Sequence, residues 1–245
     1  MTMPRAVEPS PGPPPGPEFH TFTAVARCPR TGALGIATAT RSLAVGARVP
    51  HVRMRLGAVA IMAIADPRLG HMAIRLLRQG YKAPAVVEAL VAADPYAEYR
   101  QLAVIDDDGF AAARTGAHNR DWAGHHVRDN FIALGNVLVG EAVLDAIERG
   151  YESEPDAPLE DRLMRAVEAG RDAGGQHGGQ NSAALLVYAD KPFPRVDLRV
   201  DVHDEPVGEL RRVYDAFRPA IDYYSLRQVD ARVKPLHESV PGGNY

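Results

Sequence analysis

The sequence predicts an α+β protein with two antiparallel sheets and helices covering their outer faces. Three observations carry this. Strand-like segments come as hairpins, which require antiparallel pairing. Helical segments come as adjacent pairs between the hairpins. Regular βαβ alternation is absent, which disfavours a Rossmann or barrel arrangement.

The elements follow in order. Thr21-Phe22-Thr23-Ala24-Val25-Ala26 is β-branched, aromatic and alternating, and reads as a strand. The turn Cys28-Pro29-Arg30-Thr31-Gly32 joins it to a second strand, Ala33 to Thr40. Gly57 to Ala65 is continuously apolar, so it reads as a strand buried on both faces, closed by Asp66-Pro67. The period then becomes helical. Met72, Leu76 and Leu77 mark a helix stopped by Gly80, and Pro84 opens another that carries Val86, Val87, Leu90 and Val91. Tyr99 to Ile105 and Phe110 to Thr115 form a hairpin about Asp106-Asp107-Asp108-Gly109. Phe131 to Leu134 is a short strand. Val143, Leu144, Ile147 and Tyr151 lie on one helix; Leu159, Leu163 and Val167 lie on the next. After a Gly174–Gly179 loop comes an apolar strand, Ser182 to Ala189. The half-buried Arg195 to Val202 alternates, and a last helix holds Val207, Leu210, Val213, Tyr214 and Phe217.

Composition bounds the function. The chain has 245 residues, 46% hydrophobic and 24% charged, with net charge -3, which is globular and gives no electrostatic reason to expect nucleic acid. Cys28 is the sole cysteine, which excludes an intrachain disulfide and a cysteine-based zinc site. The longest apolar stretch is strand-sized, far below the roughly 20 residues of a spanning helix. Seven of 20 prolines fall in Met1–Pro17, so residues 1–20 read as a disordered Pro-rich leader without the apolar core of a secretory signal. The ordered domain is expected over 21–218, with a tail over 219–245. The cytoplasm is the expected compartment.

Chemical motifs are sparse: no phosphate-binding loop, nucleophile elbow or zinc-protease helix is present. Three constellations remain. Thr21 heads the first strand directly after the leader. A cut between His20 and Thr21 would free an α-amine of pKa about 7.7–8.0, able to take the threonine's own hydroxyl proton. Otherwise Thr21 is an ordinary strand residue. Asn136 at a strand end, and Asn181-Ser182 at a strand start, could donate to a developing oxyanion, or could simply make turns. Asp197, Arg199 and Asp201 share one strand face, which could be a buried ion-pair row near a site, or Asp201, His203 and Asp204 could form a metal cluster. The simpler expectation is a solvated face followed by a helix cap at Asp204. His125 and His126 should point to opposite faces. Trp122 is expected in the core.

The ordered segments resemble domain-of-unknown-function family 1028 (DUF1028). The resemblance is carried by Thr21–Arg27, Thr31–Ala37, Ser42–Gly46, Val49-Pro50, Gly57–Ala60, Tyr99–Gln101, Thr115-Gly116, Ala123–His125, Gly135–Gly140, Asn181–Val187 and Val196–Asp201, in order over roughly 21–217. It implies an Ntn-hydrolase-like fold, a four-layer αββα sandwich. It further implies an amidohydrolase that cleaves a linear amide bond in a small molecule without metal or cofactor. Thr21 would be the nucleophile, exposed by loss of the leader. Asn136, together with Asn181 or Ser182, would steady the oxyanion, Ser42 and His125 would bind substrate, and Asp197 and Arg199 would position the amine or bind a substrate carboxylate. A homo-oligomer is expected; nucleic acid and membrane partners are not. The alternatives are a ligand-binding or assembly protein that keeps the fold, and a metal-dependent hydrolase using Asp201, His203 and Asp204.

Overall fold

The structure, a computed structural model, describes residues 20–240. The expectation for the leader therefore lies outside the described residues, apart from His20. The strands are β1 (Thr21–Arg27), β2 (Leu34–Thr40), β3 (Pro50–Arg53), β4 (Gly57–Ala63), β5 (Arg100–Asp106), β6 (Ala111–Thr115), β7 (Gly124–Arg128), β8 (Phe131–Asn136), β9 (Ser182–Tyr188) and β10 (Val196–Val200). The helices are α1 (Pro67–Arg78), α2 (Ala83–Ala93), α3 (Ala142–Glu152), α4 (Leu159–Asp172), α5 (Pro206–Phe217), α6 (Ile221–Arg227) and α7 (Leu236–Ser239).

Two sheets form, and every strand pair in them is antiparallel. The first has the order β10-β9-β2-β1-β8-β7 and the second β3-β4-β5-β6. Alternation decides which residues face which layer. On β1, Phe22, Ala24 and Ala26 join Leu163, Val167 and Ile147 in a core under α3 and α4. Val25 turns the other way, meeting Ile36, Ala58, Ala103 and Leu134 between the sheets. A third core, with Ile61, Leu102, Ala73 and Leu90, seats α1 and α2 on the far face of the second sheet. The layers are thus αββα. Small residues at Gly35, Ala37 and Ala39 let α4 lie close: a Cβ at Gly35 would come within 2.7 Å of the Leu163 side chain.

Several boundaries differ from the sequence expectation. β4 ends at Ala63, where φ turns to +63°, rather than at Ala65. β3 and β7 are edge strands with little apolar alternation, so their pattern is faint. β10 is shorter than the alternating run: its ladder with β9 stops at Val200 and Ala183, and the Asp201 carbonyl accepts the Ala44 N–H of the loop after β2 instead. Asp204 does not cap α5. The His203 ring accepts the Glu205 N–H instead, at 2.9 Å, and no side chain caps that helix. Beyond α5 the chain stays packed: Ala220 and Ile221 are buried, and Arg218 and Asp222 pair with Asp161 and Arg195. Among the described residues, no helix is long and apolar enough to cross a membrane.

Candidate active site

Hairpin register builds the site. Thr21 opposes Thr40 on β2 and Asn136 on β8, while Thr40 opposes Ser182 on β9. Four polar residues therefore form one row at the end of the first sheet, and all are buried. The row faces the second sheet, since Thr21 shares its face with Val25. A cavity of about 60 Å³ opens there, lined by Thr21, Thr40, Ser42, Val45, Arg48, Val49, Ala63 and Ala65. Its walls come from the ends of β1, β2 and β4 and from the loop after β2.

The carbonyl of His20 belongs to the peptide bond that precedes Thr21. It accepts three hydrogen bonds: from Thr40 Oγ1 at 2.6 Å, Gln176 Nε2 at 2.6 Å and the Arg41 N–H at 3.1 Å. Thr40 has one hydroxyl proton and spends it on His20. The 3.0 Å contact between the Thr21 and Thr40 hydroxyls is therefore donated by Thr21. The result is a directed chain, from the Thr21 hydroxyl through that of Thr40 to the His20 carbonyl. Such donors, aimed in a buried setting, stabilise charge that grows on a carbonyl oxygen.

Gln176 reaches His20 because of the Gly174–Gly179 loop. Gly174, Gly175, Gly178 and Gly179 have φ of +102°, +56°, +81° and +73°, which L side chains rarely adopt. The path doubles back to give a bridge between Leu138 and Gln176, and His177 N–H bonds the Val137 carbonyl. Gln176 is buried, its Nε2 also bonds the Gly179 carbonyl, and its Oε1 has no hydrogen-bond partner among the described residues. Ala44, Ala63 and Val137 also have positive φ, at +54°, +63° and +53°. Ala63 lines the cavity, Ala44 lies in the loop over it, and Val137 follows Asn136. Strained backbone of this kind, worth about 1–3 kcal/mol per residue, gathers at functional sites.

Residues 21–210 match the family of unknown function DUF1028. The chain belongs to that family. A crystal structure of the DUF1028 protein SPO2555 from Silicibacter pomeroyi is similar at 36% identity and a TM-score of 0.75, over 81% of this chain and 89% of that one. Anbu (ancestral beta-subunit) from Yersinia bercovieri aligns at 12% identity with a TM-score of 0.38, over 88% of this chain and 99% of that one. No curated protein matches.

Within this DUF1028 chain the sequence-predicted residues separate. Thr21 and Ser42 line the cavity, and Asn136 stands beside Thr21 in the row. The Asn136 amide donates to Gln101 Oε1 at 2.8 Å. Gln101 in turn donates to Thr115 Oγ1 at 3.0 Å, which bonds His125 Nδ1 at 2.9 Å. His125 thus sits two strands from Thr21, against a separate groove that includes Trp122 and Asn119. Burial holds its pKa below the usual histidine value. His126 faces the opposite way, towards Glu148 on α3. Ser182 and Asn181 clamp the loop after β2: the Ser182 hydroxyl donates to the Ser42 carbonyl at 2.6 Å, and the Asn181 amide to that of Arg41 at 2.7 Å. Asp197 and Arg199 are exposed, because β10 overhangs the narrower second sheet. Burial nonetheless pushes the Asp197 carboxyl above its usual pKa. Arg199 pairs with Asp201 at 2.9 Å. Among the described residues, no three His, Cys, Asp or Glu side chains gather as a cation site.

Thr40, Gln176 and Arg48 complete the site without a motif of their own. One signal was available for Thr40. Thr21-x-Thr23 and Thr38-x-Thr40 are symmetric about the Arg30-Thr31 turn, so hairpin register pairs them.

Proposed function

We propose that this protein is an Ntn-type amidohydrolase whose Thr21 becomes the N-terminal residue and attacks a linear amide in a small molecule. The observation that carries this reading is the triply hydrogen-bonded His20 carbonyl beside the Thr21 hydroxyl. The same arrangement supports removal of the leader by the chain itself. Thr21 Oγ1 adds to the His20 carbonyl carbon while its proton passes through Thr40 to the growing oxyanion. Collapse breaks the His20–Thr21 C–N bond and leaves an ester and a free α-amine. Water then cleaves the ester, releasing the His20 carboxylate and restoring the Thr21 hydroxyl.

The mature site reuses these parts. The freed amine takes the Thr21 proton during attack, since its pKa of about 7.7–8.0 suits neutral pH. Leaving of residues 1–20 vacates the His20 position, where Thr40 Oγ1, Gln176 Nε2 and Arg41 N–H face the substrate's carbonyl oxygen. Asn136 and Ser182 act here as supports, Asn136 through Gln101 and Ser182 through the loop after β2. The fold tolerates this use because the reacting groups sit on a strand end rather than a mobile loop.

Intact-mass measurement of the purified full chain tests the reading. Wild type should lose residues 1–20 and Thr21→Ala should keep them. Only the wild type should then hydrolyse a panel of simple acyl amides. A fully active protein that retains its leader removes Thr21 from the chemistry; a ligand-binding protein with an intact leader would point to the non-catalytic alternative.

A further inference from the structure

Resting on the hydrolytic reading above, we infer that the Thr21 site selects amides that carry a carboxylate, and that Arg48 is the residue that binds it. Of the eight residues lining the cavity, Arg48 is the one that ionises. The remainder are hydroxyls and small apolar side chains, with no carboxylate among them. Among the described residues Arg48 makes no ion pair; its guanidinium bonds the Leu43 carbonyl, which holds it at the cavity and leaves further N–H donors to spare. Two carboxylates on segments that adjoin the cavity are already engaged. Asp66 follows the cavity residue Ala65 and is held by Arg68, and Asp201, whose carbonyl bonds the Ala44 N–H, is held by Arg199.

The surrounding sequence strengthens the case. Phe19 to Ala65 contains no Asp or Glu but six arginines, in a chain whose net charge is -3. This stretch supplies β1, β2, β3, β4 and the loop over the cavity. Of the six, Arg41 and Arg48 stand at the nucleophile's end of the strands, whereas Arg27, Arg30, Arg53 and Arg55 stand at the far end, so it is the first two, with no acid beside them in this stretch, that concentrate anions at the mouth. A guanidinium fork matches a planar carboxylate with two parallel bonds. The apolar walls from Val45, Val49, Ala63 and Ala65 suit a short aliphatic stem. A cavity near 60 Å³ with a single cation offers too few donors for a phosphate dianion.

Binding of small probes to the processed full chain tests this separately from hydrolysis. Succinate, its neutral diamide succinamide, and inorganic phosphate are titrated by NMR at matched ionic strength. Succinate should bind wild type at least tenfold more tightly than succinamide. Arg48→Gln should weaken succinate roughly 10- to 100-fold, the loss of charge-assisted hydrogen bonds. Arg48→Lys should keep part of the affinity, and Arg55→Gln, the same charge change on an exposed turn, should leave it intact. Equal binding of diamide and diacid, equal binding of phosphate, no binding of succinate at all, or succinate binding that survives Arg48→Gln would each overturn the assignment. If the hydrolytic reading alone is wrong, the chain keeps its leader and hydrolyses nothing. In that case the unprocessed chain still shows the Arg48-dependent preference.

Discussion

Two neighbouring threonine pairs on the same hairpin share their chemistry and differ in their surroundings. Thr23 and Thr38 lie one row below Thr21 and Thr40 and meet at 2.6 Å. Thr38 Oγ1 reaches the Phe22 carbonyl at 3.4 Å, as Thr40 reaches that of His20 at 2.6 Å. Both pairs are buried. The lower pair is fully buried on the face that carries Val25, Ile36 and Leu134 and does not line the cavity beside Thr21. The upper pair lies at the sheet's end, where the strand ladder stops and side chains and loops take over. There the carbonyl gains Gln176 as a donor, and a cavity opens beside the hydroxyl. Residue type and pairing are therefore insufficient for reactivity. Position at the end of a sheet supplies the donors and the space.

The sharpest test of this contrast exchanges the pairs. Thr21→Ala should abolish loss of the leader, while a Thr23→Val/Thr38→Val protein should process normally; intact mass of both decides it. Processing that survives Thr21→Ala, or fails in the lower-row double variant despite a native fold, would erase the distinction. Next in size are the donors. Gln176→Ala and Thr40→Val each remove one hydrogen bond to the His20 carbonyl, and each should slow leader release by roughly 10²–10³-fold in a time course on fresh protein. Normal rates in both would show that the carbonyl is not activated.

The lower row should matter to stability instead. Thr23→Ala alone leaves the buried Thr38 hydroxyl with only its long bond to the Phe22 carbonyl and should cost about 1–3 kcal/mol in urea denaturation. Replacing both threonines by valine removes donor and acceptor together and should cost less than the single change. The smallest effect is titration. Burial lowers the pKa of His51 and of His125. The unfolded chain therefore binds more protons than the folded one around the ordinary histidine pKa of about 6.5. Their contribution is complete above that pH and falls as the solution is acidified through the lowered folded values. The urea midpoint should drop on acidification from pH 7, and His125→Gln should flatten part of that drop.

Much of the architecture is legible in local pattern. The Thr21–Ala26 alternation, the doubly buried Gly57–Ala63 run and the paired helices each answer to short-range periodicity. They gave two antiparallel sheets with outer helices. Edge strands β3 and β7 escaped because a strand paired on one side needs little apolar alternation. The Asp204 cap failed because α5 starts at Pro206, so Glu205 and not Asp204 stands at the cap position, and the His203 ring takes the Glu205 N–H.

Sequence by itself determined the strand that Thr21 heads, its hairpin partner and the acid-free stretch around it, since all three depend on neighbours along the chain. Tertiary structure alone decided that Gln176, 156 positions away, would meet His20, and that Arg48 would line the same cavity as the threonine. Those encounters depend on four left-handed glycines and on two sheets of unequal width. No local signal encodes the place where such a loop lands. A carbonyl becomes reactive through donors brought from distant segments, and folding is the process that brings them.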